Sequence, residues 1–147
     1  MPVLDAGVRT LTNRLPKVIS PKAHAIIDYA SAGTFITAGI LMMGSRKRAG
    51  IGSIICGAAQ AGLVMMTDMP GGVFNVIDLD THLKVDAGFS GFVATLPSLL
   101  GFSDDKKSWF FRAQGMNIAA VGAMTEYEQG ELSAHLQRVL EDGYEAD

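Results

Sequence analysis

Four long stretches of apolar and small residues, almost free of charge, dominate the hydrophobic pattern of this chain. They cover residues 26–44, 49–66, 87–102 and 109–124, and the charged side chains within them are Asp28 and Arg112. A soluble amphipathic helix of this length shows a charged stripe at helical spacing, but residues 49–66 contain no charge at all. A membrane-spanning helix needs about 17–25 predominantly apolar residues, a length that the stretches reach when the flanking turns at His24 and His82 are included. The pattern therefore predicts four spans and favours them over a soluble four-helix bundle.

The chain carries an internal repeat, because it matches itself when shifted by 58 residues. Of the 55 positions from 18 to 72, 13 are identical to the position 58 residues later, whereas ordinary residue usage gives roughly 3 or 4. A tandem duplication is the simplest interpretation, with repeat 1 at about residues 18–72 and repeat 2 at about residues 76–130. The identical pairs include His24/His82, Asp28/Asp86, Gly33/Gly91, Thr37/Thr95, Gly57/Gly115 and Thr67/Thr125.

Short polar turns divide each repeat into two antiparallel spans. The turns within the repeats lie at residues 45–48 and 103–108, and a Pro/Gly-rich stop at residues 67–72 ends the second span. Each repeat crosses the membrane an even number of times, so both repeats begin on the same side. We therefore expect a single all-α membrane domain over residues 1–147, a four-transmembrane-helix bundle built from two tandem parallel helical-hairpin repeats.

Amphipathic and aromatic segments flank the four spans. Apolar residues recur at helical spacing ahead of the first span, at Leu4, Val8, Leu11 and Leu15. This spacing predicts a short N-terminal helix that lies in the membrane interface. After the fourth span, residues 131–147 form an acidic C-terminal tail with one apolar face. Trp109, Phe110 and Phe111 are expected at the interface, where aromatic rings are favoured.

Charge and cysteine content narrow the functional classes. The chain has 12 Lys and Arg against 15 Asp and Glu, and no basic stripe dense enough for nucleic acid is present. The first 23 residues contain four basic residues and no continuous apolar core, so no cleavable signal peptide is predicted. The single Cys56 offers no disulfide framework. Six Lys or Arg residues on each side of the predicted spans leave the orientation open.

Polar side chains are predicted to gather where the first and third spans begin. His24 and Asp28 are four residues apart, which places both on one helix face. His82 and Asp86 repeat this spacing in the third span. These four groups are the strongest candidates for chemistry in the chain.

The ends of the second and fourth spans are expected to extend this cluster. In an up-down hairpin the first helix begins where the second ends, so we expect His24 near Thr67 and Asp68. By the same reasoning, the histidine of repeat 2 lies near Thr125 and Glu126. Negative charge is disfavoured at helix C-termini, so the histidines are expected to donate to these two acids. The predicted cluster contains His24, Asp28, Thr67, Asp68, His82, Asp86, Thr125 and Glu126.

Three interpretations of the cluster stay open at this point. The first is structural: polar groups near the interface satisfy one another and lock the helix ends together. The second is a haem or divalent-metal site with His24 and His82 as ligands and carboxylates around them. The third is a proton or ion path, because carboxylates and histidines in membrane helices form relays.

Small residues predict where helices pack. The candidates are Gly33, Thr37, Gly57, Ala58, Gly62, Gly91, Thr95 and Gly115. Small side chains let helix backbones approach closely in lipid, where no hydrophobic drive joins helices. Asn117 lies deep in the fourth span, and an amide there is expected to pack against a neighbouring helix.

The motifs of this chain resemble those of small bacterial membrane proteins of the SPW-repeat type. They are His24 with Asp28-Tyr29, Thr67-Asp68-Met69-Pro70-Gly71-Gly72, His82 with Asp86, and Pro97-Ser98-Leu99-Leu100-Gly101-Phe102. The resemblance covers residues 18–128 and departs at Met69, where an aromatic residue is usual, and at Ser98, where a tryptophan would follow the proline. It implies a four-helix bundle in the bacterial cytoplasmic membrane and indicates no activity, because the family has no established one.

Together these observations predict a non-enzymatic, multi-pass protein of the bacterial inner membrane. We expect a structural or accessory subunit whose partners are the lipid bilayer and a larger membrane complex or further copies of itself. No cofactor is required by this hypothesis, whereas the alternatives are a haem- or metal-binding protein using His24 and His82, and a small ion or proton transporter. Nucleophilic catalysis is disfavoured, because Cys56 lies mid-span and apart from every histidine.

Overall fold

A computed structural model describes residues 15–126, and this part of the chain folds into four helices without a strand. In chain order these are α1, Pro21–Met42; α2, Lys47–Met66; α3, Leu79–Leu99; and α4, Ser108–Met124. The predicted all-α class and four helices are therefore confirmed for the described residues. The predicted N-terminal interfacial helix, apart from Leu15, and the tail at residues 131–147 lie outside them.

Local signals explain where the helices begin. Ser20 Oγ accepts a hydrogen bond from the Ala23 amide at 3.2 Å, and Pro21 occupies the first turn, where an N–H would have no helical partner. Asp78 accepts from the Thr81 amide at 2.7 Å. Hydrogen bonds to the Thr81 side chain and backbone hold the pKa of the Asp78 carboxyl below its usual value of 3.8. With this cap, α3 begins at Leu79, directly after Asp78.

The helices form two hairpins, in which α1 packs along α2 and α3 packs along α4. Fewer contacts join α1 to α4 and α2 to α3, so α1 and α3 lie on one diagonal of the bundle. Glycines allow the close approach within each hairpin. A Cβ atom at Gly57 would lie 2.7 Å from the Ala32 carbonyl oxygen, and one at Gly115 would lie 2.7 Å from that of Ser90. Both glycines thus lie at helix contacts, where their packing role is predicted.

The other small residues predicted to pack helices lie on the outer surface of the described bundle. They are Gly33, Gly62 and Gly91, beside which an added Cβ would meet nothing within 4 Å, and the exposed Ala58, Thr37 and Thr95. They do not join the described helices, because the two helices of each hairpin pack through the faces that carry Gly57 and Gly115. Asn117 is also exposed. In α4, the side-chain amide that contacts a neighbouring helix is that of Gln114, whose Oε1 accepts a hydrogen bond from Ser31 Oγ at 2.8 Å.

An apolar core fills the middle of the bundle and the part near the turns between paired helices. Its most deeply buried members are Phe35, Ala49, Cys56, Val93, Phe111 and Ile118. Phe111, predicted at the membrane interface, is buried in the bundle and packs against Phe102, with ring centroids 5.3 Å apart. Trp109, predicted at the same interface, is 70% exposed.

Polar residues are buried beside apolar ones in the rest of the interior, and many large apolar side chains lie on the outside. Fully buried polar residues include His24, Asp28, Gln60, His82 and Asp86. Exposed apolar residues include Ile26, Ile40, Leu41, Ile51, Ile55, Phe92, Leu99 and Met116. Soluble monomers rarely expose contiguous apolar patches beyond a few hundred Å². The described bundle thus combines large apolar side chains on its outer surface with buried ionisable side chains in its interior.

Two of the helices are long and apolar enough to cross a membrane. They are α1, with a mean hydropathy of 1.4, and α2, with a mean hydropathy of 1.6. Neither helix of the second hairpin meets the requirements of length, hydropathy and low charge together. The reason is that α4 has 17 residues, and the first half of α3 carries Asp80, Lys84 and Asp86.

Candidate functional site

The candidate site lies where α1 and α3 begin, and we call this end of the bundle the cluster end. His24 and Asp28 are one turn apart on α1, as are His82 and Asp86 on α3, and all four side chains point into the bundle. Their exposed fractions are 0% for both histidines and 1% for both aspartates. These four residues form the His/Asp cluster.

The ligating atoms of the His/Asp cluster converge on one point. His24 Nε2 lies 3.1 Å from Asp28 Oδ2 and 3.2 Å from Asp86 Oδ2. His82 Nε2 lies 3.1 Å and 3.2 Å from the same two oxygens. The two Nε2 atoms are 3.2 Å apart. Side chains from two helices and both repeats therefore meet as a single group, within 4.8 Å of one another.

The second ring nitrogen of each histidine, Nδ1, forms a hydrogen bond with a threonine hydroxyl. His24 Nδ1 lies 2.6 Å from Thr125 Oγ1, and His82 Nδ1 lies 2.7 Å from Thr67 Oγ1. Both hydroxyls donate to the carbonyl oxygen four residues earlier, at 2.6 Å for Thr125 and 2.7 Å for Thr67. A hydroxyl has one proton to donate, so each threonine accepts from the histidine. Each Nδ1 therefore carries a hydrogen, and the Nε2 atoms face the centre.

The histidine–threonine pairing is crossed relative to the prediction. We expected each histidine beside the threonine of its own repeat, but His24 contacts Thr125 and His82 contacts Thr67. The cause lies in the segments that precede α1 and α3. Ile19 forms a bridge with Thr125, and Ile77 forms one with Thr67. The segment before α1 thus places the start of α1 beside the end of α4, and the segment before α3 places the start of α3 beside the end of α2. These contacts close the bundle.

Six of the eight predicted cluster residues come together, and two do not. Asp68 and Glu126 are exposed, so the histidines do not donate to them as predicted. Each acid lies one residue beyond a buried threonine, and its carboxylate remains in contact with solvent at the helix end. The hydroxyls of Thr67 and Thr125 take the histidine hydrogens in their place.

Gln60 of α2 is a further site residue, which is not among the eight predicted cluster residues. Its Nε2 donates to Asp28 Oδ1 at 3.2 Å, and the residue is 1% exposed. The position 58 residues later is Ile118, so Asp86 has no equivalent donor. Among the described residues, Asp86 Oδ1 and Gln60 Oε1 are buried without a hydrogen-bond partner. The signal for Gln60 was its place as the only long polar side chain in residues 49–66.

The geometry disfavours the haem hypothesis. Axial ligands on opposite faces of one iron stand about 4 Å apart, at about 2 Å each, with the macrocycle between them. The Nε2 atoms of His24 and His82 are 3.2 Å apart. Asp28 and Asp86 also occupy the space beside them. The cluster has the spacing of ligands around a single metal ion.

Comparison of this chain with protein-family models, curated proteins and solved structures gives no match. The resemblance to the SPW-repeat type therefore stays a prediction. Any functional conclusion rests on the polarity of the bundle and on the cluster geometry described above.

Proposed function

We propose that this chain is a non-enzymatic integral membrane protein of the bacterial cytoplasmic membrane. In this proposal all four helices cross the bilayer, and the His/Asp cluster with its two threonines joins the hairpins into one bundle. The protein then acts as a structural or accessory subunit of a larger membrane assembly. The observation that carries the proposal is the burial of ionisable side chains in a bundle whose outside carries many large apolar side chains.

The charges of the second hairpin are compatible with a membrane position. Asp86 faces the interior, while Asp80 and Lys84 lie near the start of α3 and form an ion pair. At that depth a lysine side chain extends to the headgroup region. The 17 residues of α4 span roughly 25 Å at 1.5 Å per residue, which is at the short end of the range for membrane helices.

A structural role suits the enclosure of the cluster. Its four side chains are at most 1% exposed, so no substrate reaches them without a rearrangement of the helices. The cluster connects α1 to α3 directly and, through Thr67 and Thr125, to the ends of α2 and α4. Removing one partner from a buried charged pair costs on the order of 3–5 kcal/mol. The cluster is therefore well placed to hold the two hairpins together.

Cysteine labelling in a Cys56→Ala background tests the membrane proposal. Single cysteines replace Ser45 and Ser103 at the two turns, or Asp68 and Glu126 at the cluster end. A membrane-impermeant maleimide should label the first pair from one side of the membrane and the second pair from the other side. Recovery of the chain in the soluble fraction without detergent, or labelling of Ser45→Cys and Ser103→Cys from opposite sides, would contradict the proposal.

A further inference from the structure

We propose that the His/Asp cluster binds one divalent transition-metal ion of the zinc class, in tetrahedral coordination by two imidazole nitrogens and two carboxylate oxygens. The ligand atoms are Nε2 of His24 and His82 and Oδ2 of Asp28 and Asp86. This inference goes beyond the structural role proposed above. It rests on side-chain geometry, so it does not depend on how many helices cross the membrane.

Five of the six distances among the four atoms fit a tetrahedral zinc site. Zinc bonds to nitrogen and oxygen measure about 2.0–2.1 Å, and tetrahedral geometry then separates neighbouring ligand atoms by about 3.3 Å. The two Nε2 atoms are 3.2 Å apart. The four nitrogen–oxygen separations are 3.1 or 3.2 Å. The sixth pair, the two Oδ2 atoms, lies within 4.8 Å, and tetrahedral binding of an ion with bonds of this length would bring these two oxygens to about 3.3 Å from each other.

Proton positions in the cluster also favour a cation. Because Nδ1 of each histidine donates to a threonine, a neutral imidazole presents the lone pair of Nε2 to the centre. Two lone pairs then face two carboxylates in a site that solvent does not reach. The charge of one dication balances the two negative charges, which offsets the cost of burying them. The alternative is a network of two protonated histidines and two aspartates, and the experiment below distinguishes the two.

The residues around the ligands support this assignment independently. Metal-bound histidines commonly donate their other ring N–H to a neighbouring group, which fixes the tautomer and the ring orientation. Thr125 and Thr67 accept in this way. Asp86 Oδ1, which is not one of the four ligand atoms, is buried without a partner among the described residues, so this carboxylate has fewer hydrogen bonds to offset its charge than a buried carboxylate usually has. Coordination through the Asp86 carboxylate neutralises that group.

The donor set selects the metal class. Calcium takes six to eight oxygen ligands and magnesium requires an octahedral shell that keeps several waters, whereas this site offers four protein atoms, two of them nitrogens. Imidazole nitrogens favour zinc and its neighbours among the transition metals. Four protein ligands with no open position are typical of structural zinc sites. The ion would therefore tie α1 to α3 without taking part in a reaction.

Metal analysis of the full-length protein in detergent tests the proposal. The purified chain should contain about one zinc ion, and His24→Ala and His82→Ala should reduce this at least tenfold. His135→Ala, which changes the third histidine of the chain, is the matched control and should retain the ion. Circular dichroism establishes whether each variant keeps its helices.

Cobalt binding to the unaltered protein provides a second test that needs no variant. After treatment with a chelator, titration with Co²⁺ should produce intense visible bands of tetrahedral cobalt that saturate at one equivalent and vanish on addition of Zn²⁺. A purified chain that holds no metal and takes up neither ion overturns the proposal and leaves the hydrogen-bonded network. The proposal is also overturned if the His24→Ala and His82→Ala variants keep their helices and contain as much zinc as the unaltered protein. Neither result affects the cysteine-labelling test, so the two proposals fail separately.

Discussion

His24 and Thr125 are 101 residues apart in the chain, and their side chains meet at 2.6 Å between His24 Nδ1 and Thr125 Oγ1. The contact joins the first turn of α1 to the residue that follows α4. Backbone hydrogen bonds reinforce it, because Val18 N and Ile19 N both donate to the Met124 carbonyl oxygen, at 3.0 and 3.1 Å. The first and last helices are thereby locked together at the cluster end.

Removal of this hydroxyl should destabilise the bundle. Thr125→Val keeps the side-chain shape but leaves the buried Nδ1–H of His24 without an acceptor, which costs about 1–3 kcal/mol. Thr125→Ser retains the hydroxyl and should lose much less. Thermal unfolding in detergent, followed by circular dichroism, measures the difference. Thr37→Val, at an exposed position, is the control, and a loss as large in this variant would refute the assignment.

The helices were predictable because charge and turn residues mark them clearly. The predicted spans end at Met66 and Met124, and α2 and α4 end at the same residues. The i, i+4 spacing of His24 and Asp28 likewise determined that they share a face. The start of α3 was harder to predict from the sequence. Asp78 caps this helix, but an aspartate at this position is equally common in a loop.

Contacts between distant segments could not be predicted from local patterns. Helical spacing places Gly33 and Thr37 on one face of α1, but it does not say whether that face meets another helix. The crossed contact between His24 and Thr125 depends on how the segment before α1 pairs with the end of α4. No periodicity within a single helix contains that information.

Glycine substitutions should distinguish inner from outer helix faces. Gly57→Ala would place Cβ 2.7 Å from the Ala32 carbonyl oxygen, and the resulting overpacking typically costs about 1–3 kcal/mol. Gly33→Ala meets open space and should be neutral or stabilising, since alanine favours a helix over glycine by about 1 kcal/mol. Unfolding temperatures of the two variants test this. A larger loss for Gly33→Ala would mean that its face is occupied in the native assembly.

An ion pair between the two turns should make stability depend on pH. The Lys107 amide, at 2.9 Å, and the Arg46 guanidinium, at 2.8 Å, hold the pKa of Asp105 below its usual value of 3.8. A lowered pKa in the folded state stabilises the fold above pH 3.8, and this contribution is lost as the pH falls through the folded-state value. Asp105→Asn should therefore lower the unfolding temperature at pH 7, and this loss should shrink progressively as the pH falls below 3.8.

The control for this prediction is Asp104→Asn, which changes the neighbouring exposed acid. It should show no comparable difference between pH 7 and pH 3. Arg46→Gln removes the opposite partner and should reproduce part of the effect of Asp105→Asn. A pH-independent loss in Asp105→Asn would indicate that Asp105 acts through the turn geometry rather than through its charge.

Zinc should stabilise the folded protein if the proposed metal site is correct. A ligand that binds the folded state at 100 times its Kd raises the free energy of unfolding by about 2.7 kcal/mol. Chelator-treated protein should therefore unfold at a higher temperature after Zn²⁺ is added, and Mg²⁺ should have no such effect because the site lacks an octahedral oxygen shell. Asp86→Asn removes a charged ligand and should reduce the zinc-dependent shift, whereas Asp68→Asn, which changes an exposed acid, should retain it. Equal shifts in these two variants would show that the stabilising zinc binds elsewhere, because Asp86 belongs to the His/Asp cluster and Asp68 does not.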